Sequence, residues 1–423
     1  MAFRSNAVNE LREVDVVVVG GGPAGLRAAE VASFHGARVA LFDSNPFVGR
    51  KFLVAGKGGL NLTHGEDLSR FVRRYRTSTD HPLDPDEQTV ELWNSLLRDF
   101  SPHDLRGWAA GLGVETFQAS TGRVYPKALR AAQLLRNWIR RLLDSGVSFH
   151  LRHTLASVKT STGFQSEFAL PDGTRHRYES KAVILALGGA SWPRTGSNAQ
   201  WVPIATALGI PVTQFAPANC GWQCDWPAEV LQKCEGKPLK NIRATSGGCS
   251  IRGELVITRY GLEGGAVYAL SHILRHQTPA RLTLDFKPDS SPESLLRRLG
   301  SARNDFFSEA CARWRLDPTT QTLLRHALPQ PAALSAEDTV NAVKNFPILL
   351  QNPRPIAEAI STAGGVRMDT LNSSLMARET AGLFFAGEML DWEAPTGGYL
   401  LQGCFSTGTR AGKAAAEWAL KKY

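Results

Sequence analysis

The run Val14–Ala29, VDVVVVGGGPAGLRAA, constrains this chain more than any other segment. After Asp15 it is a continuous apolar stretch through Val19, the pattern of a parallel strand buried on both faces. The strand runs straight into Gly20-Gly21-Gly22-Pro23-Ala24-Gly25 and then into a helical pattern, so Gly20, Gly22 and Gly25 form G-x-G-x-x-G between strand and helix. Gly20 permits the tight turn, Gly22 lacks the Cβ that would hold a pyrophosphate away from the backbone, and Gly25 lets helix and strand pack closely. Pro23 and Ala24 open the helix, whose free N–H groups and positive dipole end suit phosphate. A second strand, residues 37–42, ends at Asp43, about 20 residues past the glycines, where a carboxylate accepts hydrogen bonds from ribose hydroxyls. These parts predict an adenine-dinucleotide site in an α/β, Rossmann-like domain.

The motif itself serves FAD and NAD equally; the rest of the chain favours FAD. Residues 45–64, NPFVGRKFLVAGKGGLNLTH, are too glycine-rich for a regular element and too apolar for a solvent loop. They suit backbone lying on a flat cofactor, with Gly56, Gly58 and Gly59 removing side chains that would clash. A P-loop is excluded, because Gly49 stands at the wrong spacing and Lys57 is followed by Gly58. Helical patterns open at Ser101-Pro102 and cover 128–143; short strands over 147–180 lead to a buried strand, 182–187, that ends in Gly188-Gly189. The far end repeats the theme with an apolar strand over 382–386, then Gly387-Glu388, Pro395-Thr396-Gly397-Gly398-Tyr399-Leu400 and a helix to Lys421. A helix N-terminus facing the cofactor suits a flavin, whose N1–C2=O edge becomes negative on reduction. Glu388, just past a strand end, is placed to hold ribityl hydroxyls.

With 423 residues, more than one domain is expected. The formal charge of +9 permits an acidic ligand or nucleic acid, but it is spread in small groups such as Arg73, Arg74, Arg76 and Arg136, Arg140, Arg141. Solvated helix faces account for such groups, so nucleic acid is the secondary expectation. No run approaches the ~20 apolar residues of a membrane span. Met1–Glu13 is polar and lacks the apolar stretch of a signal peptide. The six cysteines do not read as a disulfide framework, and Cys220, Cys224 and Cys234 lack zinc spacing, so a reducing cytoplasm is expected. No C-x-x-C accompanies the flavin segments, which argues against disulfide reduction. Cys404 is expected to be packing. There is no second G-x-G-x-x-G, so NAD(P)H would dock transiently on the flavin, or the substrate itself would reduce it.

The segments VVVVGGGPAGLRAA, VGRKFLVAGKGGLNLTH, GRVYPKA, VILALGGASWPRTGS, TRYGLEGGAVYALS, TAGGVRMDTL and FFAGEMLDWEAPTGGYLLQGCFSTGTRAG together resemble the BaiN-like (YhiN-type) bacterial NAD(P)/FAD-dependent oxidoreductases, of the glutathione-reductase-type FAD fold. The resemblance covers essentially the whole chain. It implies an FAD domain interrupted by a β-rich insert and a small helical domain, and the sequence pattern places the FAD domain at 1–191 and 361–423, the β-rich insert at 192–287 and 347–360 and the helical subdomain at 288–346. The resemblance also implies FAD contacts at Gly20, Gly22, Pro23, Ala24, Gly25, Asp43, Arg50, Lys51, Gly58, Gly59, Asn61, Gly189, Gly387, Glu388, Gly398, Tyr399 and Leu400. The chain departs from the family's pattern in three places. The Arg-Cys pair usual in its GGGRCNLTN stretch is Gly59-Leu60; its Gly-Asp-Gly after Thr195-Gly196-Ser197 gives way to Asn198-Ala199-Gln200-Trp201; and its Thr-His is Thr258-Arg259.

Arg123 and Tyr125 in GRVYPKA, with Arg259 and Tyr260 in TRYG, are the candidate catalytic residues, as groups that would reach an anionic or carbonyl substrate. That substrate is expected to enter between insert and FAD domain. The expected activity is FAD-dependent oxidation or reduction of a small molecule. The alternatives are an RNA-acting flavoprotein of the tRNA-modification type and a flavin-binding protein with little turnover.

Overall fold

A computed structural model describes residues 12–56, 59–300, 302 and 305–421. It divides into two compact units, one of residues up to Ala216 and from Ser361 onward, the other Pro217–Ile360.

The first unit is built on a seven-stranded sheet. Its strands are β1 (Arg12–Val19), β2 (Val39–Asp43), β6 (Ser148–Leu151), β7 (Thr154–Thr160), β8 (Phe164–Ala169), β9 (Arg175–Leu185) and Leu383–Phe385. Three more, β3 (Thr63–His64), β4 (Thr116–Gln118) and β5 (Arg123–Pro126), form a small antiparallel sheet in the order β3-β5-β4. In the large sheet the order is β6-β2-β1-β9-β8-β7, with β1 parallel to both β2 and β9. Val16, Val17 and Val18 are wholly buried, as expected for a central parallel strand with both faces covered.

β9 joins the two ends of the sequence. Val183 pairs with Val17 of β1 on one side and with Leu383 on the other. The last helix, Tyr399–Leu420, then packs along the first, Pro23–Phe34. Glycine permits that approach: a Cβ on Gly408 or Gly412 would lie 2.4 Å from the carbonyl oxygen of Ala24 or Ala28.

The second unit holds a six-stranded antiparallel sheet running Trp222–Gln223, Gly261–Glu263, Cys249–Thr258, Pro238–Ser246, Ala280–Asp285, Phe346–Leu350. Its edges meet: Gln223 N donates to Asn352 O at 2.8 Å and Gln351 N to Gln223 O at 2.8 Å. These bonds tie the first strand to the chain just past the last one.

Three expectations need correction. Residues 192–216 lie in the first unit, not the insert, because Trp201, Ala205 and Ile210 are buried in that unit's core. The helical stretch 288–346 is no separate body, since Leu295, Phe307, Trp314 and Val343 share one hydrophobic cluster with the strands of the insert. Residues 45–64 contain a regular element after all, the helix Arg50–Ala55. It starts after Gly49 in a left-handed conformation (φ 71°) and uses six residues free of glycine. Among the described residues, no helix is long and apolar enough to cross a membrane.

Candidate cofactor cleft

A cleft of about 290 Å³ opens where β1, β2 and β9 end. Its floor is the glycine turn. Gly20 N donates to Phe42 O (2.8 Å) and Ala186 N to Val19 O (2.8 Å), so the three strand ends are tied together. A Cβ on Gly20 (φ 111°) would lie 2.2 Å from Ala186 O, and one on Gly25 1.8 Å from Gly20 O, so both positions are closed to any other residue. Gly22 is different. Its backbone is ordinary (φ −78°, ψ 178°), and a Cβ there would meet nothing within 4 Å. Glycine at 22 keeps space open without serving the fold. Gly22 is also the N-cap of the first helix, with no side-chain cap, so its neighbouring N–H groups stay available to a ligand.

Asp43 closes β2 and faces the turn. Its Oδ2 accepts from Gly21 N at 2.8 Å, and its Oδ1 accepts from Asn45 N at 2.8 Å and Asn45 Nδ2 at 2.9 Å. A lone pair remains on Oδ2 for a hydroxyl donor. Arg50 donates to Asn45 Oδ1 and brings a cation to the rim. Lys51 Nζ lies 2.7 Å from Glu388 Oε2 and donates to Ser191 Oγ at 2.8 Å. This ion pair links the early and late parts of the sequence across the cleft wall. Glu388, expected as a ligand for ribityl hydroxyls, is therefore already engaged with Lys51.

The remaining expected residues separate into groups. Pro23, Ala24 and Gly387 line the cleft. Gly189 serves packing, since a Cβ on it would lie 2.1 Å from Thr362 Oγ1. Asn61 Oδ1 is buried and has no hydrogen-bond partner among the described residues. Gly398 (φ 103°) lets the last helix start against β3, because a Cβ there would be 2.4 Å from the Thr63 carbonyl carbon. Tyr399 turns inward: its hydroxyl donates to Glu66 Oε1 at 2.5 Å, and its ring stacks on His64 with centroids 5.2 Å apart. Burial and the Glu66 contact push its hydroxyl well above the usual phenol range. Leu400 packs on the core from a half-buried position. Gly58 lies outside the described residues.

Of the catalytic candidates, Arg123 and Tyr125 stand together on β5 in this unit. Arg259 and Tyr260 belong to the other unit, where Arg259 is exposed and paired with Glu235 at 3.2 Å, and Tyr260 donates to Glu263 under the Arg354 guanidinium. They take no part in this cleft. Sequence reasoning missed the walls formed by His153-Thr154-Leu155, Ala186–Gly188 and Thr195–Ser197. Ala186–Gly188 was within reach, because a strand pairing with β1 must end beside the glycine turn. Cys404 also lines the cleft rather than packing alone; burial pushes its thiol far up, so it stays protonated.

Comparison with known proteins agrees with this architecture. The chain is 27% identical to the 3-dehydro-bile acid delta(4,6)-reductase of Clostridium scindens, over 95% of this chain and 98% of that one. It is 25% identical to the ribosomal RNA dihydrouridine synthase of Escherichia coli, over 94% and 96%. Among solved structures, the 3-ketosteroid-delta4-(5alpha)-dehydrogenase from Rhodococcus jostii RHA1 matches in fold, with a TM-score of 0.51 and 19% identity, covering 97% of this chain and 99% of that one. The model of the HI0933-like protein Rossmann domain matches residues 14–414, nearly the whole sequence, and the chain belongs to that family.

Proposed function

We propose that this protein is an FAD-dependent oxidoreductase that reduces a carbon–carbon double bond conjugated to a carbonyl. One observation carries the cofactor reading: Gly22 has unstrained backbone and faces open space, at a helix N-terminus, beside a carboxylate at the next strand end. A fold has no use for that combination, and a dinucleotide has. The residues present fit FAD. The first helix's N–H groups and Arg50 would hold the diphosphate, and Asp43 would accept from the adenosine ribose. The Lys51–Glu388 pair would flank the ribityl chain. The N-terminus of the last helix, at Gly398, would favour negative charge on the flavin's pyrimidine edge.

FAD supplies a hydride equivalent when reduced; the protein supplies position, dryness and proton partners. The two similar proteins share a chemical outcome in their names. A delta(4,6)-reductase acting on a 3-dehydro steroid and a dihydrouridine synthase each saturate a C=C bond polarised by a carbonyl. NAD(P)H is the proposed reductant. The formal charge of +9 supports RNA as a second source of such a bond.

The test is anaerobic. Protein loaded with FAD is reduced with NADH or NADPH, then mixed with a Δ4-3-ketosteroid, with a uridine-containing RNA, or with a saturated ketone. The flavin band should return with one of the first two and not with the third. Return with none of the three, or with all of them alike, overturns the reading.

A further inference from the structure

The small sheet β3-β5-β4 contributes no residue to the lining of the cleft described above. Along β5, Arg123 and Tyr125 point to one side while Val124, 1% exposed, points to the core. Arg123 pairs with His64, and Tyr125 with Phe117, so these four side chains share one face. The Phe117 and Tyr125 rings lie 5.8 Å apart and tilted by 30°, with Phe117 37% exposed and neighbouring Leu129 48% exposed. Neither the Arg123 guanidinium nor the Tyr125 hydroxyl has a partner among the described residues, whereas nearby Arg74 is neutralised by Glu66 at 2.8 Å. Both nitrogens of His64 are engaged, with Glu66 N at 3.1 Å and Thr121 O at 3.1 Å.

Two glycines border this face. A Cβ on Gly59 would lie 3.5 Å from Leu129 and 3.8 Å from Tyr125, and one on Gly397 would lie 3.8 Å from Arg123 Nε. Gly59 belongs to the segment expected to run along the flavin, and Gly397 precedes Gly398 at the start of the last helix. The face thus combines flat apolar surface with one unspent cation beside the backbone that would hold the flavin ring. Flat surface matches a flat ring, and the cation matches negative charge.

We propose that this face is the substrate subsite, taking a flat, conjugated-carbonyl ring that carries an anionic group. Phe117 and Tyr125 support the ring, and Arg123 binds the anion. The proposal rests on the oxidoreductase reading above. A steroid carboxylate and a nucleotide of RNA share this chemistry, and the experiment separates them.

Isothermal titration calorimetry follows three probes on FAD-loaded protein: 3-oxo-4-cholenoate (a steroid acid), neutral 4-androstene-3,17-dione, and a uridine-containing RNA hairpin. If the source is a small molecule, the acid binds at least ~10-fold tighter than the neutral steroid. Arg123→Ala then removes that difference, Arg123→Lys restores part of it, and Tyr125→Ala or Phe117→Ala weakens both steroids. If the source is RNA, the hairpin is the tightest probe and the same variants weaken it. Wild-type binding in the Arg123→Ala and Tyr125→Ala variants, or no binding of any probe to the wild type, overturns the proposal. Calorimetry does not depend on the flavin band, and FAD content is measured on each preparation. A protein that holds FAD but ignores every probe refutes the subsite alone, whereas a protein that cannot be loaded refutes the cofactor reading.

Discussion

Replacing Gly22 with valine separates fold from function at a single position. The backbone there, φ −78° and ψ 178°, suits any residue, and the new side chain would point into space empty to 4 Å. Two small folding terms oppose each other. Restricting the unfolded chain gains about 0.4–1 kcal/mol. Giving up glycine at a helix N-cap loses about 0.5–1 kcal/mol. The apo protein should therefore melt within a few degrees of wild type. FAD binding should fall at least ~100-fold, or about 2.8 kcal/mol, because the side chain occupies the volume a diphosphate needs. Thermal melting of apoprotein, paired with FAD titration, reads both effects. Gly25→Ala is the contrast, since its Cβ would press 1.8 Å from Gly20 O and should impair folding itself. A Gly22→Val protein that binds FAD normally, or that fails to fold, would refute the reasoning.

Ala199 sits in the left-handed region at φ 56°. Ala199→Gly should relieve about 1 kcal/mol of strain and raise the melting temperature, less the entropy glycine adds to the unfolded chain. Lys51→Met should destabilise by about 1–3 kcal/mol in denaturant melts, because it leaves the Glu388 carboxylate half-sealed without its partner, and adding Glu388→Gln should recover part of the loss. Burial, with His153, Arg12 and His176 nearby, pushes the His150 imidazole down to about 4 from an ordinary value of 6.5. The unfolded chain takes up that proton first, so His150's share of stability is intact above pH 6.5 and is lost as pH falls from 6.5 towards 4. Melting curves should show that decline, and His150→Gln should flatten it.

The glycine turn is legible in the sequence because each glycine answers a local steric demand that spacing reveals. Asp43 is legible for the same reason, since strand length and the following turn fix its place. The return of the distant segments at Gly387 and Gly398 is readable as a repeat of the strand–turn–helix theme, though not as the pairing of Leu383 with Val183 that delivers it. Side-chain direction is the least readable feature. Tyr399 follows two glycines at a helix start, yet Glu66 and His64 draw it inward. Arg123 and Tyr125 are visible as residue types, but their shared face depends on the register of β3, β4 and β5, which no periodicity in such short strands specifies. The unit boundary at Ala216 is hidden too, because the burial of Trp201 and Ile210 depends on contacts distant in sequence.

The cleft at the ends of β1, β2 and β9 fits FAD. Denaturing the purified, FAD-incubated and desalted protein and identifying what it releases tests this most directly. Wild type should release one FAD per chain, and Gly22→Val little. Release of no flavin, or of a nicotinamide dinucleotide alone, would contradict it.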